Sequence, residues 1–146
     1  MELPFTKYHP DPVATGSVVA NPDQPCLCCN KKRGYVYAGP AYSERYHYLS
    51  GCICPWCVAD GSAAKQFQAE FTDAGTIDGV SDEILTELAT RTPGFEAWQQ
   101  ETWLTCCADA AAYLGRATPR GTEDEATEYL FECLHCGKKL SYTDEP

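Results

Sequence analysis

The sequence contains no long apolar run and no recognisable targeting segment. No stretch approaches the roughly 20 apolar residues that a membrane-spanning helix needs, so we expect no membrane span. The opening MELPFTKYHPDP has no basic region and no apolar region, and three prolines interrupt its twelve residues. A secretory signal peptide needs both regions. We therefore expect a cytoplasmic protein whose thiols stay reduced.

Basic residues are also few. The 146 residues include 11 Lys and Arg against 21 Asp and Glu, which gives a formal net charge of -10. Binding to a phosphate backbone depends on Lys and Arg that displace counterions, so nucleic acid is a poor candidate partner. Motifs for catalysis are missing too, because we find no nucleophile motif, no phosphate-binding loop and no three-ligand zinc pattern with a free position. We expect that the protein is not an enzyme.

Cysteine, by contrast, is abundant. Ten residues are cysteines, and two of them flank Pro-Trp in the stretch CICPWC at 52–57. Such a pair could be a redox dithiol or half of a metal site. A redox dithiol lies at the start of a helix that follows a parallel strand, where the helix dipole lowers the thiol pKa. Here Asp60-Gly61 interrupts any helix starting at the motif and no βαβ pattern surrounds it, so metal binding is favoured.

A first zinc site is predicted from two Cys-x-x-Cys pairs. Cys26 and Cys29 form one pair, 24 residues follow, and Cys54 and Cys57 form the other. Two such pairs can close a tetrahedron of thiolates around zinc. Asn30 tolerates the left-handed backbone that such a turn often needs. The alternating aromatics of GYVYAGPAYSERYHYLS, between the pairs, predict the hairpin of a zinc ribbon.

A second zinc site is predicted later in the chain. Cys133 and Cys136 form another pair before a glycine, and the adjacent Cys106 and Cys107 are the natural complement. Neighbouring residues on a helix point about 100° apart, so one ion can bind both cysteines only if the backbone there is irregular.

The fourth ligand of this second site is open between Cys106, His135 and Asp109, and Cys106 is preferred because thiolates suit structural sites. We expect about two structural zinc ions per chain. The predicted ligands are Cys26, Cys29, Cys54, Cys57, Cys106, Cys107, Cys133 and Cys136. Cys28 and Cys52 remain as packing residues, although either could replace a neighbour as a ligand.

The fold is expected to be α+β, with zinc-ribbon-like knuckles and short antiparallel hairpins packed against several short helices. Helices are predicted at 62–71, from a cap at Ser81 to about 91, and over 95–115, and strands at YLFEC and KKLSYT. One domain, 1–146, would contain an extended arm (1–25), a first zinc-ribbon lobe (26–60), a helical middle (61–115) and a second knuckle (116–146). ATPRGTEDEATE is predicted to be a solvated acidic loop. We see no internal repeat beyond the recurrence of cysteine pairs.

Several motifs follow one another in a specific order over nearly the whole chain. They are FTKYHPDPVATGSVVA, a CxCC knuckle, GYVYAGPAY, CPWCVADGSAA, RTPGFEAWQQETWL and CLHCGK followed by YTD. In order and spacing these motifs resemble the CbrC family of bacterial proteins. In the family pattern a His-Cys pair stands where this chain has Cys106-Cys107, an exchange expected at a metal-binding position. The family's name is linked to tolerance of colicin. The resemblance implies a bacterial cytoplasmic protein that protects its host against a protein toxin.

Together these observations favour an immunity or tolerance protein that binds a basic toxin domain through an acidic surface. The alternative is a zinc-stabilised adaptor or regulatory protein with another partner. Rim charges steer association, whereas aromatic anchors supply most of the affinity. The candidates for steering are Asp78, Asp82, Glu83, Glu123, Asp124, Glu125 and Glu128. The candidate anchors are Tyr42, Tyr46 and Tyr48.

Overall fold

Along the described residues two short strands come first, then three short helices and then five further strands, which is the mixed α+β class that the sequence predicts. The computed structural model describes residues 2–97, 101–117 and 127–144. The strands are β1 (Val18–Ala20), β2 (Tyr35–Tyr37), β3 (Thr105–Cys106), β4 (Asp109–Ala110), β5 (Ala112–Arg116), β6 (Thr127–Glu132) and β7 (Lys139–Asp144). The helices are α1 (Pro55–Ala59), α2 (Ser62–Phe67) and α3 (Asp82–Arg91). Of the predicted acidic loop, residues 118–126 lie outside the described residues.

The N-terminal arm supplies the partner of β2. β1 pairs antiparallel with β2, with Val18 opposite Tyr37 and Ala20 opposite Tyr35. The hairpin predicted between the two cysteine pairs is therefore wrong. Between β2 and α1 the chain forms turns and bends, with one isolated bridge from Tyr42 to Glu70. The alternating aromatics of this region pack individually rather than along a second strand.

Local signals in the sequence determine where the helices begin or end. The Ser81 hydroxyl accepts a hydrogen bond from the backbone N–H of Ile84 and caps α3, as predicted. α1 does begin at the CICPWC motif, with Pro55 in its first turn, but it ends after five residues, at Ala59, and Asp60 is its C-cap. α2 stops earlier than predicted because Gln68 takes a left-handed conformation.

The helices predicted over 95–115 are wrong. The described part of this region contains β3, β4 and most of β5, and the helix that precedes it, α3, ends at Arg91. The helix propensity of alanine is worth little energy, so pairing of β5 with β6 outweighs the three consecutive alanines at 110–112.

The largest sheet has the antiparallel order β5-β6-β7. Residues of β6 alternate between buried and half-buried, so that Tyr129 and Phe131 point into the core. This alternation confirms the strand predicted from YLFEC. A register shift between Tyr113 and Gly115 bends β5.

Two hydrophobic clusters form the core. The first surrounds the first cysteine set and includes Ile53, Val58 and Phe71. The second is aromatic, and its rings of Phe95 and Tyr113 stack with centroids 3.9 Å apart. Within the described residues, none of the helices has the length and apolarity that crossing a bilayer demands.

Candidate metal centres

The first cysteine set comes together at the start of α1. Cys26 and Cys29 lie in a loop after the arm, while Cys54 is the N-cap of α1 and Cys57 lies in its first turn. The Sγ atoms of Cys26 and Cys57 are 3.9 Å apart, as are those of Cys29 and Cys54. A tetrahedral ion with metal–sulfur bonds of about 2.3 Å requires sulfurs about 3.8 Å apart. The four side chains therefore fit one ion.

Backbone groups around Cys26 favour its thiolate. The N–H groups of Cys28 and Cys54 each approach the Cys26 Sγ at 3.3 Å. Asn30 has the expected left-handed conformation, and its N–H donates to the Cys26 carbonyl at 2.8 Å. A hydrogen bond from the Cys54 side chain, followed by these backbone donors, lowers the pKa of Cys26 to about 4. Burial raises the pKa of Cys57 to about 12, and a bound cation would allow that thiol to ionise as well.

The second knuckle repeats this geometry. The N–H groups of His135 and Cys136 approach the Cys133 Sγ at 3.4 and 3.5 Å. Gly137 is left-handed, and its N–H donates to the Cys133 carbonyl at 3.2 Å. The backbone N–H donors, that of Cys136 first, lower the pKa of Cys133 to about 6. Both knuckles thus direct backbone donors at their first sulfur.

The likeness of the two knuckles extends to their sequences, so the internal repeat is longer than the recurrence of cysteine pairs that the sequence predicts. The knuckles read CLCCNKK and CLHCGKK. Each is closed by a hydrogen bond from the first cysteine N–H to the carbonyl of the first lysine, Cys26 to Lys31 at 3.0 Å and Cys133 to Lys138 at 2.9 Å. The leucine after the first cysteine and the paired lysines are the signal that could have revealed the repeat.

The adjacent cysteines are brought together by a tight turn. Cys106 ends β3, Cys107 and Ala108 form the two-residue link to β4, and both link residues have left-handed backbones. The Cys106 Sγ is 3.8 Å from the Cys107 Sγ and 3.7 Å from the Cys136 Sγ. A hairpin turn thus provides the irregular backbone that a helix lacks, and the four side chains again match a tetrahedral ion.

His135 and Asp109 bind each other instead of completing the cysteine set. The His135 Nε2 is 2.8 Å from the Asp109 Oδ2, and the Tyr8 hydroxyl donates to the Asp109 Oδ1 at 2.6 Å. Partial burial raises the pKa of Asp109, but the hydrogen bonds from Tyr8 and His135 outweigh it, so that pKa is lowered. Asp109 therefore anchors the turn to the arm and to the second knuckle.

The structure groups the two predicted sets of four cysteines, and each set could hold one metal ion. That these side chains are ligands stays a prediction. Cys28 stands apart from the first set, with its Sγ 3.4 Å from the Gln66 Oε1 and 3.6 Å from the Ser62 Oγ. Cys52 is half-buried, and its carbonyl accepts a hydrogen bond from the Leu27 N–H.

The other predicted surface residues are placed as follows. Tyr48 is 86% exposed, and Tyr42 and Tyr46 are about 40% exposed (41% and 38%). Asp82 and Glu83 are exposed in the first turn of α3, Asp78 is exposed before it, and Glu128 is half-buried in β6. Glu123, Asp124 and Glu125 lie outside the described residues.

Comparison with known proteins identifies the family of this chain. A family model described as "Uncharacterised protein family (UPF0167)" matches residues 3–123. This chain belongs to the UPF0167 family. The UPF0167 model spans the first cysteine set and the adjacent cysteines, and its match ends before the second knuckle. The resemblance to the CbrC family is not confirmed by these comparisons.

Similar UPF0167 proteins come from several bacteria. UPF0167 protein Mb2317 of Mycobacterium bovis and UPF0167 protein MT2352 of Mycobacterium tuberculosis are each 43% identical, over 98% of this chain and 94% of the relative. UPF0167 protein PA1536 of Pseudomonas aeruginosa is 41% identical over 93% of both chains. No solved structure matches.

Proposed function

We propose that this UPF0167 chain is a cytoplasmic, zinc-stabilised protein that neutralises a protein toxin by direct binding and catalyses no reaction. The proposed zinc binding is supported by two sets of four cysteines, in which the measured distances between sulfur atoms are 3.7 to 3.9 Å. Sets made only of cysteine are typical of structural zinc. Four protein ligands would leave the ion no open position for substrate, which supports a binding role over catalysis.

An exposed tyrosine-rich segment supports a protein-binding role. Tyr42 and Tyr46 line a shallow cleft of about 600 Å³ together with Glu44 and Glu70, and Tyr48 projects nearby in the chain. Within the described part of the chain, neither carboxylate forms an ion pair. Aromatic side chains are common anchors at interfaces, and unpaired acids favour a basic partner.

The choice of a toxin as partner has two supports. The net charge of -10 would speed capture of a basic domain. The resemblance to the CbrC family adds the link to colicin tolerance. An adaptor with another basic partner would use the same surface, so the partner has to be identified by experiment.

Metal analysis tests the zinc part. We expect about two zinc ions per chain after purification in zinc-containing buffer, and loss of the folded state when a chelator removes both, because structural zinc contributes roughly 10 kcal/mol or more to folding of small modules. Fewer than one ion per chain would overturn it.

Co-purification with the product of a neighbouring toxin gene tests the binding part. We expect a complex whose association slows as salt rises, and a Tyr48→Ala variant that binds about thirtyfold or more weakly, because truncation of an anchor costs about 2 kcal/mol or more. The exposed Phe5, outside the segment, provides the control variant Phe5→Ala. Protection of cells without any complex would overturn direct neutralisation, and a stable complex with a different protein would favour the adaptor.

A further inference from the structure

The two cysteine sets differ in their access to solvent. In the first set Cys26, Cys54 and Cys57 are at most 3% exposed. In the second set only Cys133 is buried, whereas Cys107 and Cys136 are exposed. A chelator or an incoming thiolate can therefore reach sulfurs of the second set without any movement of the core.

The second set also depends on an unfavourable turn. Cys107 has φ 57° and Ala108 has φ 58°, so two consecutive residues with side chains are left-handed. Glycine adopts this conformation freely. It is unfavourable for all other residues, although less so for asparagine and aspartate. The strands on either side, β3 and β4, have only two residues each. Coordination by an ion would therefore add to the pairing of β3 with β4 and to the hydrogen bonds of Asp109 in holding this turn closed.

The turn is connected to the N-terminal arm. Asp109, the first residue of β4, accepts the Tyr8 hydroxyl at 2.6 Å on one carboxylate oxygen. Its other oxygen is 2.8 Å from the His135 Nε2 of the second knuckle. The Tyr8 carbonyl in turn accepts the Tyr113 N–H at 2.8 Å, next to the sheet. Loosening of the turn would therefore remove one of the contacts that hold the arm at Tyr8, beside the burial of the Tyr8 ring.

We propose that the second set is an exchangeable site for Zn²⁺, that the first set is a permanent one, and that occupancy of the second site fixes the β3–β4 turn and the arm at Tyr8. The proposal rests on the proposed zinc binding. Exchange is a ligand substitution without electron transfer. An incoming ligand replaces the thiolate of Cys107 or Cys136, the displaced sulfur takes up a proton, and the ion keeps its charge.

Release kinetics test this with the full-length, zinc-loaded protein. In excess EDTA at neutral pH we expect one ion per chain to leave at least tenfold faster than the other. Iodoacetamide added during the fast phase should modify Cys107 and Cys136 and spare Cys26 and Cys54. Hydrogen exchange at residues 2–16 and 105–110 should rise in the same phase.

Two variants test the roles of the turn and of the arm independently. Ala108→Gly relieves the left-handed strain, so the fast phase should slow about fivefold, while the exposed Ala14→Gly, with no positive φ, should leave it unchanged. Tyr8→Phe removes the bond to Asp109, so the arm should exchange equally with and without the second ion.

The possible results distinguish this inference from the zinc proposal. Release of both ions at one rate, or loss from the first set before the second, would overturn the exchangeable site and leave zinc binding intact. Absence of bound zinc would overturn both. An arm whose hydrogen exchange is the same before and after the fast phase in the parent protein would overturn the link through Tyr8.

Discussion

Acidification should destabilise this protein through one buried histidine. His9 is fully buried, with its Nδ1 2.6 Å from the Pro93 carbonyl oxygen and its Nε2 2.7 Å from the Thr15 Oγ1. A carbonyl can only accept, so Nδ1 carries the proton. In the neutral imidazole Nε2 then accepts from the Thr15 hydroxyl, which lies closer to it than to the Pro12 carbonyl oxygen at 3.2 Å. Burial disfavours the charged imidazolium and lowers the pKa of His9 to about 4.

The size of the effect follows from the difference in pKa between the two states. The unfolded chain should take up the proton near pH 6.5, whereas the folded chain should take it up only near pH 4. Between these values the unfolded state binds more protons, so stability is complete above pH 6.5 and falls as the pH falls. Each unit is worth about 1.4 kcal/mol, so the loss is about 2 kcal/mol at pH 5 and approaches roughly 3 kcal/mol at pH 4.

Denaturant unfolding of the zinc-loaded protein at pH 7, 6 and 5 measures this loss. Other groups titrate too, and acid weakens zinc binding, so the informative quantity is the difference between the parent and His9→Gln. The parent should lose about 2 kcal/mol more than the variant between pH 7 and pH 5. Equal losses would refute the reasoning, and so would a His9 pKa of 6 or above in an NMR titration of the parent, which needs no variant.

Three further predictions concern packing and ligand identity. Gly94→Ala would place a Cβ against the Phe71 carbonyl oxygen, and we expect a loss of about 3 kcal/mol in thermal or denaturant unfolding. Phe95→Ala removes the ring at the centre of the aromatic cluster and should cost about 3 to 5 kcal/mol in the same assay. Cys28→Ser should keep two zinc ions per chain, whereas Cys29→Ser should lose one by metal analysis, because only Cys29 belongs to a four-cysteine set.

Matched variants control for the two packing predictions. At Gly75 an added Cβ would meet only the flexible Asp73 side chain, so Gly75→Ala should change stability far less than Gly94→Ala. Phe5 is 75% exposed, so Phe5→Ala should stay within about 0.5 kcal/mol of the parent. A mild effect at Gly94 or Phe95, or loss of zinc in Cys28→Ser, would contradict the corresponding prediction.

The grouping of the cysteines could be predicted because spacing alone limits it. Two Cys-x-x-Cys pairs have few ways to meet, and knuckle turns at Asn30 and Gly137 use residues that tolerate left-handed backbones. The cap at Ser81 and the alternation in β6 are equally local signals. In each case a few neighbouring residues decide the structure.

The sequence predictions are wrong where pairing with another segment of the chain decides the structure. The region 95–115 has the composition of a helix, yet β5 pairs with β6, which begins eleven residues beyond the end of β5. β2 finds its partner in the arm that precedes the first knuckle rather than in the aromatics that follow. The turn at Cys107 and Ala108 uses residues that ordinarily avoid it, so no local rule could have indicated it.

An ion bound at each cysteine set would also cross-link the unfolded chain. Cys26 and Cys57 are 31 residues apart, and Cys106 and Cys136 are 30 apart, so each ion would close a loop of similar length. By the loop-entropy relation for cross-links, one closure of about 30 residues lowers the entropy of the unfolded chain by an amount worth roughly 3.6 kcal/mol. The loops do not overlap, so the two closures are independent. Either half of the chain could then be cross-linked while the other is still unfolded, which permits folding to begin from either end.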